Sequence, residues 1–278
     1  MPRIAWGLLL AGLVVAQETE RRPQPIYRIQ VVERSVKAVN YGHRTQPTKV
    51  DLKGTILAPE ARGEAKVESK RGAVEIEAKV ERLDAPTRFG PEYLTYVLWA
   101  ISPEGRPTNL GELVLTPGNK GKLNVSSELQ AFALIVTAEP YFSVTLPSDV
   151  VVMENVIRPD TVGKVEEVSA RYELLPRGQY TYERPSGVTP PQPREQLSMD
   201  QYEAMLSLYQ ALNAIQIARA GGADRDAGEA MRKAEGLYEK ARSLQSRGAQ
   251  SREVVTLARQ ATQTAEDARA ISVKRREK

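Results

Sequence analysis

Cysteine is absent from this chain of 278 residues, and histidine occurs once, at His43. No disulfide can support the fold, which must stand on packing alone. One imidazole and no thiol cannot assemble the usual zinc ligand sets. A Cys-His pair is excluded as well, and a Ser-His-Asp triad would have to be built on His43. That histidine follows Gly42 in the turn-like stretch NYGHRTQ, the setting of an exposed loop side chain. Glycine-rich phosphate loops, HExxH and EF-hand patterns are missing. No catalytic residue, metal or cofactor is therefore expected. A strong excess of charge is missing too: 39 basic against 35 acidic residues leave a net +4. Such a balance reads as mixed solvated surface, and nucleic acid is not an expected partner. A mildly basic exported chain could still touch anionic lipid heads or wall carboxylates, so peripheral membrane contact stays open. After the first residues, no apolar run approaches the ~20 residues that a membrane-spanning helix needs.

What is present begins with MPRIAWGLLLAGLVVAQETE. Arg3 precedes an apolar run over residues 4–16, and Val14 and Ala16 occupy the −3 and −1 positions of a cut before Gln17. This is the plan of a cleavable secretory signal peptide over residues 1–16, cut after Ala16. The rest is expected to be exported, periplasmic or outer-membrane associated.

Two regions with different periods follow. Over residues 26–175 the period is two. Residues 73–81 read AVEIEAKVE, with Val74, Ile76, Ala78 and Val80 on one face and charge on the other. Residues 49–57 place Val50, Leu52 and Ile56 together. Similar runs recur at residues 27–33, 36–41, 64–68, 110–115, 122–125, 131–138, 150–156 and 165–174. Turn signals lie between runs at Pro59-Glu60, Arg71-Gly72, Pro103-Glu104-Gly105 and Pro117-Gly118-Asn119. Alternation with regular turns predicts an antiparallel β-sandwich. One run departs from alternation: in residues 93–101 both the Tyr93-Thr95-Val97-Trp99-Ile101 face and the Leu94-Tyr96-Leu98-Ala100 face are apolar. Residues 130–139 have the same character. The two are expected to be neighbouring central strands covered on both sides, with Trp99 as a core side chain.

Pro185, Pro190, Pro191 and Pro193 make residues 184–197 a semi-rigid linker, because proline fixes φ and removes a donor. The period then becomes 3.6. Ser198 and Gln201 form a capping-box pattern for a first helix that ends at Gly221-Gly222. Asp226 and Glu229 suggest a second capping box. Gly248 ends that second helix, and Ser251 opens a third. Short loops predict a three-helix antiparallel unit over residues 198–278, rich in alanine, slender and modestly stable alone. Its helices could also self-associate. The architecture is thus multidomain, β followed by α.

For contacts, the proline-framed segment AEPYFSVTLPSDVVVMEN offers Tyr141 and Phe142 as partner-binding aromatics. The alternative is that Phe142 and Val144 close one end of the core. Paired carboxylates for glycoside hydrolysis would have to come from Glu92, Glu104, Glu139, Asp149 or Glu154, in loops or at strand ends.

The stretches RFGPEYLTYVLWAISPEGRPTNLGEL and FALIVTAEPYFSVTLPSDVVVMEN resemble the N-terminal region of exported OmpA-family envelope proteins of acidobacterial type. Residues 202–271 resemble an alanine-rich helical envelope domain of unknown function. In that family a charged helical stalk leads to a C-terminal OmpA-like domain that grips peptidoglycan. The Asn-x-x-Leu-Ser-x-x-Arg pattern of that domain is not found in this sequence, so no peptidoglycan-binding residue carries over. The helix ending ARAISVKRREK would suit continuation beyond Lys278 as such a stalk. Together these features predict a non-catalytic envelope interaction or scaffold protein, with an envelope protein or a peptidoglycan-associated component as partner. A periplasmic carbohydrate-binding module is the alternative, and a hydrolase using loop carboxylates the third.

Overall fold

A computed structural model describes residues 36–42, 46–70, 72–159, 161, 164–168 and 197–276. The signal peptide, the run at residues 27–33, His43, and all of the proline linker but its last residue lie outside them.

Among the described residues eleven strands come first: β1 (Val36–Asn40), β2 (Thr48–Gly54), β3 (Arg62–Lys70), β4 (Ala73–Glu81), β5 (Thr95–Ile101), β6 (Pro107–Leu113), β7 (Leu115–Thr116), β8 (Lys120–Ser127), β9 (Ala131–Glu139), β10 (Val151–Val156) and β11 (Lys164–Val168). Helices α1 (Met199–Ala220), α2 (Ala223–Asp226, a single turn), α3 (Gly228–Ser246) and α4 (Ser251–Arg276) follow. The strands form one antiparallel sheet rather than two separate ones. Its main path runs β11-β1-β9-β10-β2-β3-β4-β8-β7, and β5 pairs with β9 and carries β6. Because β6 comes round beside β8, the sheet curls almost into a barrel.

Strand β9 is the hub. One edge pairs with β5 from Ala133 to Glu139. Its other edge is shared, first by β1 at Ala131 and Phe132 and then by β10 from Ile135 to Thr137. The gap between those partners would strand a backbone donor, and unpaired buried N–H groups are rare. Asn155 fills it: its side chain accepts from Leu134 N at 2.9 Å and donates to the Lys37 carbonyl at 3.0 Å.

The expected pairing of the two all-apolar runs is observed, residue for residue from Thr95↔Glu139 to Ile101↔Ala133. Their covering differs from a sandwich. Tyr96, Leu98, Ala100, Phe132, Leu134 and Val136 face the inside of the curl, against Val50, Leu52, Ile76 and Val80 from β2 and β4. Val97, Trp99, Ile101, Ala133 and Ile135 face the other way, into a second core with Ala214, Ile217, Ala218, Ala265 and Ala268 of the helices. Alanine is what lets α1 and α4 approach this closely, since a small side chain keeps the helix axis near its neighbour. Each large side chain buried here contributes roughly 1.5–3 kcal/mol. Trp99 is fully buried in this second core. The helical region is therefore no free-standing slender unit; it shares a core with the sheet within one compact body.

Local details follow from sequence, with two corrections. The Ser198 capping box is present in both directions. α1 is apolar nearly all round, the mark of a helix with neighbours on most sides. Gly222, at φ 82°, ends the α1 turn in the left-handed region. The second capping box does not form: Asp226 closes the short α2 and turns to Arg225 and Ser272, and α3 starts from Ala227 with no side-chain cap. Ile56, expected on the inner face of a strand, is 90% exposed. Strand β2 stops at Gly54, where an added Cβ would sit 1.9 Å from the Ala58 carbonyl. Thr55 then bonds to the Val151 carbonyl, and the chain reverses with Ile56 in the connecting turn.

Candidate functional site

The segment between β9 and β10 holds both aromatics singled out for partner contact. Tyr141 is fully buried, and its surface is taken by the protein's own helical layer. Its hydroxyl donates to Glu266 Oε2 at 2.7 Å. Thr145 joins through its backbone N–H at 3.2 Å and its hydroxyl at 2.8 Å, both to Glu266 Oε1. Arg269 closes the cluster with two 2.7 Å bonds, Nε to Oε2 and Nη2 to Oε1. Burial alone would push the Glu266 carboxyl up. The Arg269 hydrogen bonds and charge, with the Tyr141 and Thr145 donors, outweigh it and hold the group below the usual carboxylate range.

Phe142 sits at the mouth of the same seam. The guanidinium of Arg259 lies 3.7 Å from its ring centroid, a cation–π arrangement. Arg259 also donates to Glu112 Oε2 at 2.7 Å. Glu112 reaches the helices because β6 carries a bulge. Asn109 opposes Trp99 while Gly111 opposes Leu98, so Leu110 is the extra residue, and Gly111 adopts φ 137°. Thr95 and Gln210 donate to the other oxygen of Glu112, and Gln210 accepts from Phe142 N at 2.9 Å. Asn109 donates to the Phe142 and Val144 carbonyls at 2.9 and 2.8 Å. Nearby, burial and then the Glu112 charge push the Tyr202 hydroxyl up to about 12.

A third chain of bonds lies wholly inside. Trp99 Nε1 donates to Thr137 Oγ1 at 2.8 Å, and the Thr137 hydroxyl donates to Glu139 Oε1 at 2.6 Å. Ser148 N donates to the same oxygen at 2.7 Å. These bonds make the β9–β10 segment a rigid polar gasket between sheet and helices. The seam opens to solvent in a shallow recess of about 420 Å³ around Asn109, Phe142, Thr145, Arg259 and Gln263.

The loop carboxylates do not gather at one site, although Asp149 lies beside Glu139, two residues before the Val151 that pairs with Thr137. Glu139 is buried, whereas Glu104 is exposed in the β5–β6 turn, where the Ser102 hydroxyl lowers its pKa. The β5–β9 register puts those two at opposite ends of the strand pair, roughly 20 Å apart. Glu92 holds its place through its backbone carbonyl, which accepts from Asn213 at 3.1 Å. Among the described residues no group of three histidine or acidic side chains is placed to hold a metal ion.

Sequence reasoning did not single out Glu112, Gln210, Glu266 or Arg269. One signal was available: Thr262, Glu266 and Arg269 follow each other at helical spacing beside the alanine stripe of α4 and are buried with it.

A different surface lies across the molecule. The solvent face of β2, β3, β4 and β8 carries charge at nearly every outward position. Its rows are fixed by register: Asp51-Glu64-Lys79-Lys122 and Lys49-Lys66-Glu77-Asn124. Lys122 and Lys79 hold the Glu77 carboxyl down at about 2. Two shallow recesses of about 420 and 520 Å³ mark this face. No protein family, curated protein or solved structure matches this chain.

Proposed function

We propose that this chain is a non-catalytic interaction or scaffold protein of the cell envelope. In this reading it is exported through a signal peptide cut after Ala16 and acts in the periplasm or at the outer membrane. It joins an envelope protein or a peptidoglycan-associated partner to the wall or membrane, as its resemblance to OmpA-family envelope proteins implies. The curled sheet serves as a β-sandwich would, presenting one broad face. The three long helices act as an antiparallel bundle that stiffens it and can self-associate.

The observation that carries the reading is the charged outer face of β2, β3, β4 and β8. It is broad, shallow and patterned with charge in two dimensions, and such a pattern can match a partner of complementary charge. The buried acids Glu112 and Glu266 are meanwhile occupied in joining sheet to helices, and Glu139 in holding the β9–β10 segment. Crosslinking in intact envelopes tests it. Reversing Lys66 and Lys122 to glutamate is expected to remove the crosslinked partner bands, and an unchanged band pattern would reject this face as the contact. Intact mass of the native protein tests export: processing after Ala16 lowers it below the full 30.8 kDa.

A carbohydrate-binding module is the second reading, favoured by one observation. Phe142 lies in an open recess beside Gln263. Sugar stacking there requires Arg259 to leave the ring, so Arg259→Ala is expected to raise glycan retention and Phe142→Ala to abolish it on an array.

A further inference from the structure

Two attractors for positive charge converge on one point at the mouth of the sheet–helix seam. The Phe142 ring and the Glu112 carboxylate meet at the guanidinium of Arg259, 3.7 Å from the ring centroid and 2.7 Å from Glu112 Oε2. An aromatic face attracts a cation most where water is scarce, and the Glu112 side chain beside it is only 4% exposed. Neither attractor owes its place to Arg259. The β6 bulge turns Glu112 toward the helices, and Thr95 and Gln210 hold its other oxygen. Phe142 is fixed by its backbone, through Gln210 at its N–H and Asn109 at its carbonyl.

The cation now in place is held lightly. Arg259 reaches the pocket from α4 with its side chain 40% exposed, and among the described residues Glu112 is the one group it is hydrogen-bonded to. Arg269, on the same helix, is its opposite: 9% exposed, and bonded to both Glu266 oxygens and to Thr145. Arg269 is locked inside the seam, whereas Arg259 stands beside the recess of about 420 Å³ that opens to solvent. That recess gives a second long side chain a way in and gives Arg259 a way out. Charge decides what can enter. With Arg259 gone, Glu112 would be buried without a counter-charge, which is costly. A neutral sugar on the ring would not repair that loss; another cation would.

We propose that Phe142 and Glu112 form a binding site for an arginine side chain of a partner protein, and that Arg259 is its built-in occupant, displaced on binding. Arginine suits the site better than lysine, because a planar guanidinium can stack on the ring and bond to the carboxylate at once, as Arg259 does. A shallow, open recess admits the end of a side chain carried by another chain; a site for a free small molecule would enclose most of its ligand. The proposal goes beyond the envelope reading and does not depend on compartment. It also lies apart from the charged outer face, so the crosslinking test there and ligand exchange here can fail separately.

Full-length protein, Arg259→Ala, and Arg259→Ala with Glu112→Gln are titrated with acetyl-arginine methylamide. The lysine counterpart and the citrulline counterpart, which keeps the shape and lacks the charge, are titrated alongside. NMR follows the Phe142 ring and, in the parent, the Arg259 Nε–H. The parent should bind the arginine probe weakly, with the Phe142 and Arg259 signals moving together. Arg259→Ala should bind it roughly tenfold or more tightly. The lysine probe should bind that variant severalfold less tightly and the citrulline probe not at all, and adding Glu112→Gln should erase the gain. If Arg259→Ala is less stable than the parent, its urea midpoint supplies a second readout, raised by the arginine probe and unmoved by citrulline. Equal binding of arginine and citrulline overturns the site, as does a variant with no gain over the parent. So does an Arg259 Nε–H that stays unmoved in the parent throughout, which would leave Arg259 and Glu112 an ordinary ion pair.

Discussion

Two regions of one sheet meet opposite fates. Strands β5 and β9 are apolar on both faces, one turned into the curl and the other under α1 and α4. Strands β3 and β4 alternate strictly, with apolar residues inside and glutamate and lysine in water. The covered region gathers its buried acids around the β9–β10 segment, where each is held by several donors. The bare region is densely charged, and its ion pairs lie in solvent. Charge is therefore structural in one region and a surface property in the other, and the same change should have very different consequences in each.

The largest effect is expected from breaking the buried pair. Glu266→Leu leaves Arg269 buried without its carboxylate and should destabilise by about 3–5 kcal/mol in urea unfolding. The double change Glu266→Leu with Arg269→Met removes the orphaned charge and should recover most of that loss. No recovery would mean that Tyr141 and Thr145, not the ion pair, hold the seam. Next comes the alanine surface of the second core. Ala268→Leu forces α4 away from the sheet and should lose about 1–3 kcal/mol by overpacking. An equal bulk on the solvent side of α4, as in Gln263→Leu, should change stability little. Smaller again is Tyr141→Phe, which withdraws one donor from Glu266 and should destabilise by about 1–2 kcal/mol.

These predictions locate what could be read from the chain alone. Alternation in residues 73–81 gave β4 residue for residue, because one wet face and one dry face leave a period of two in the sequence. The double apolar face of residues 93–101 correctly implied a strand covered twice. It could not say by what, since a second sheet and a helix layer present the same apolar demand. Pro140 and Pro147 drew attention to Tyr141 and Phe142, yet their surroundings depended on α1 and α4, more than sixty residues away in sequence. Ile56 was misplaced because a period of two continues through Thr55 on paper, whereas Gly54 and the Thr55 side chain reverse the chain there. The Glu266–Arg269 cluster was hidden by its chemistry: charged residues on a helix ordinarily read as solvated.

The finest test sets Glu266 beside Glu77. Both carboxyls titrate low, for different reasons. Glu266 is buried, and its donors overcome the penalty of burial; Glu77 is in solvent, drawn to about 2 by Lys122 and Lys79. A group whose folded pKa is depressed adds stability that is fully present above its unfolded value and is lost as pH falls through the folded one. For Glu266 the loss begins below the ordinary 4.5 and continues on acidification. Glu266→Gln should therefore flatten the decline of the urea midpoint over that window. Glu77→Gln should leave the midpoint unmoved at neutral pH, because exposed pairs contribute little. Carboxyl titration by NMR then separates the two by screening. Raising salt shortens the reach of charges in water but hardly touches a buried pair. The Glu77 pKa should climb toward the ordinary value in high salt while that of Glu266 stays low. If both climb together, the β9–β10 seam admits water and ions, and the division between a structural and a surface use of charge fails.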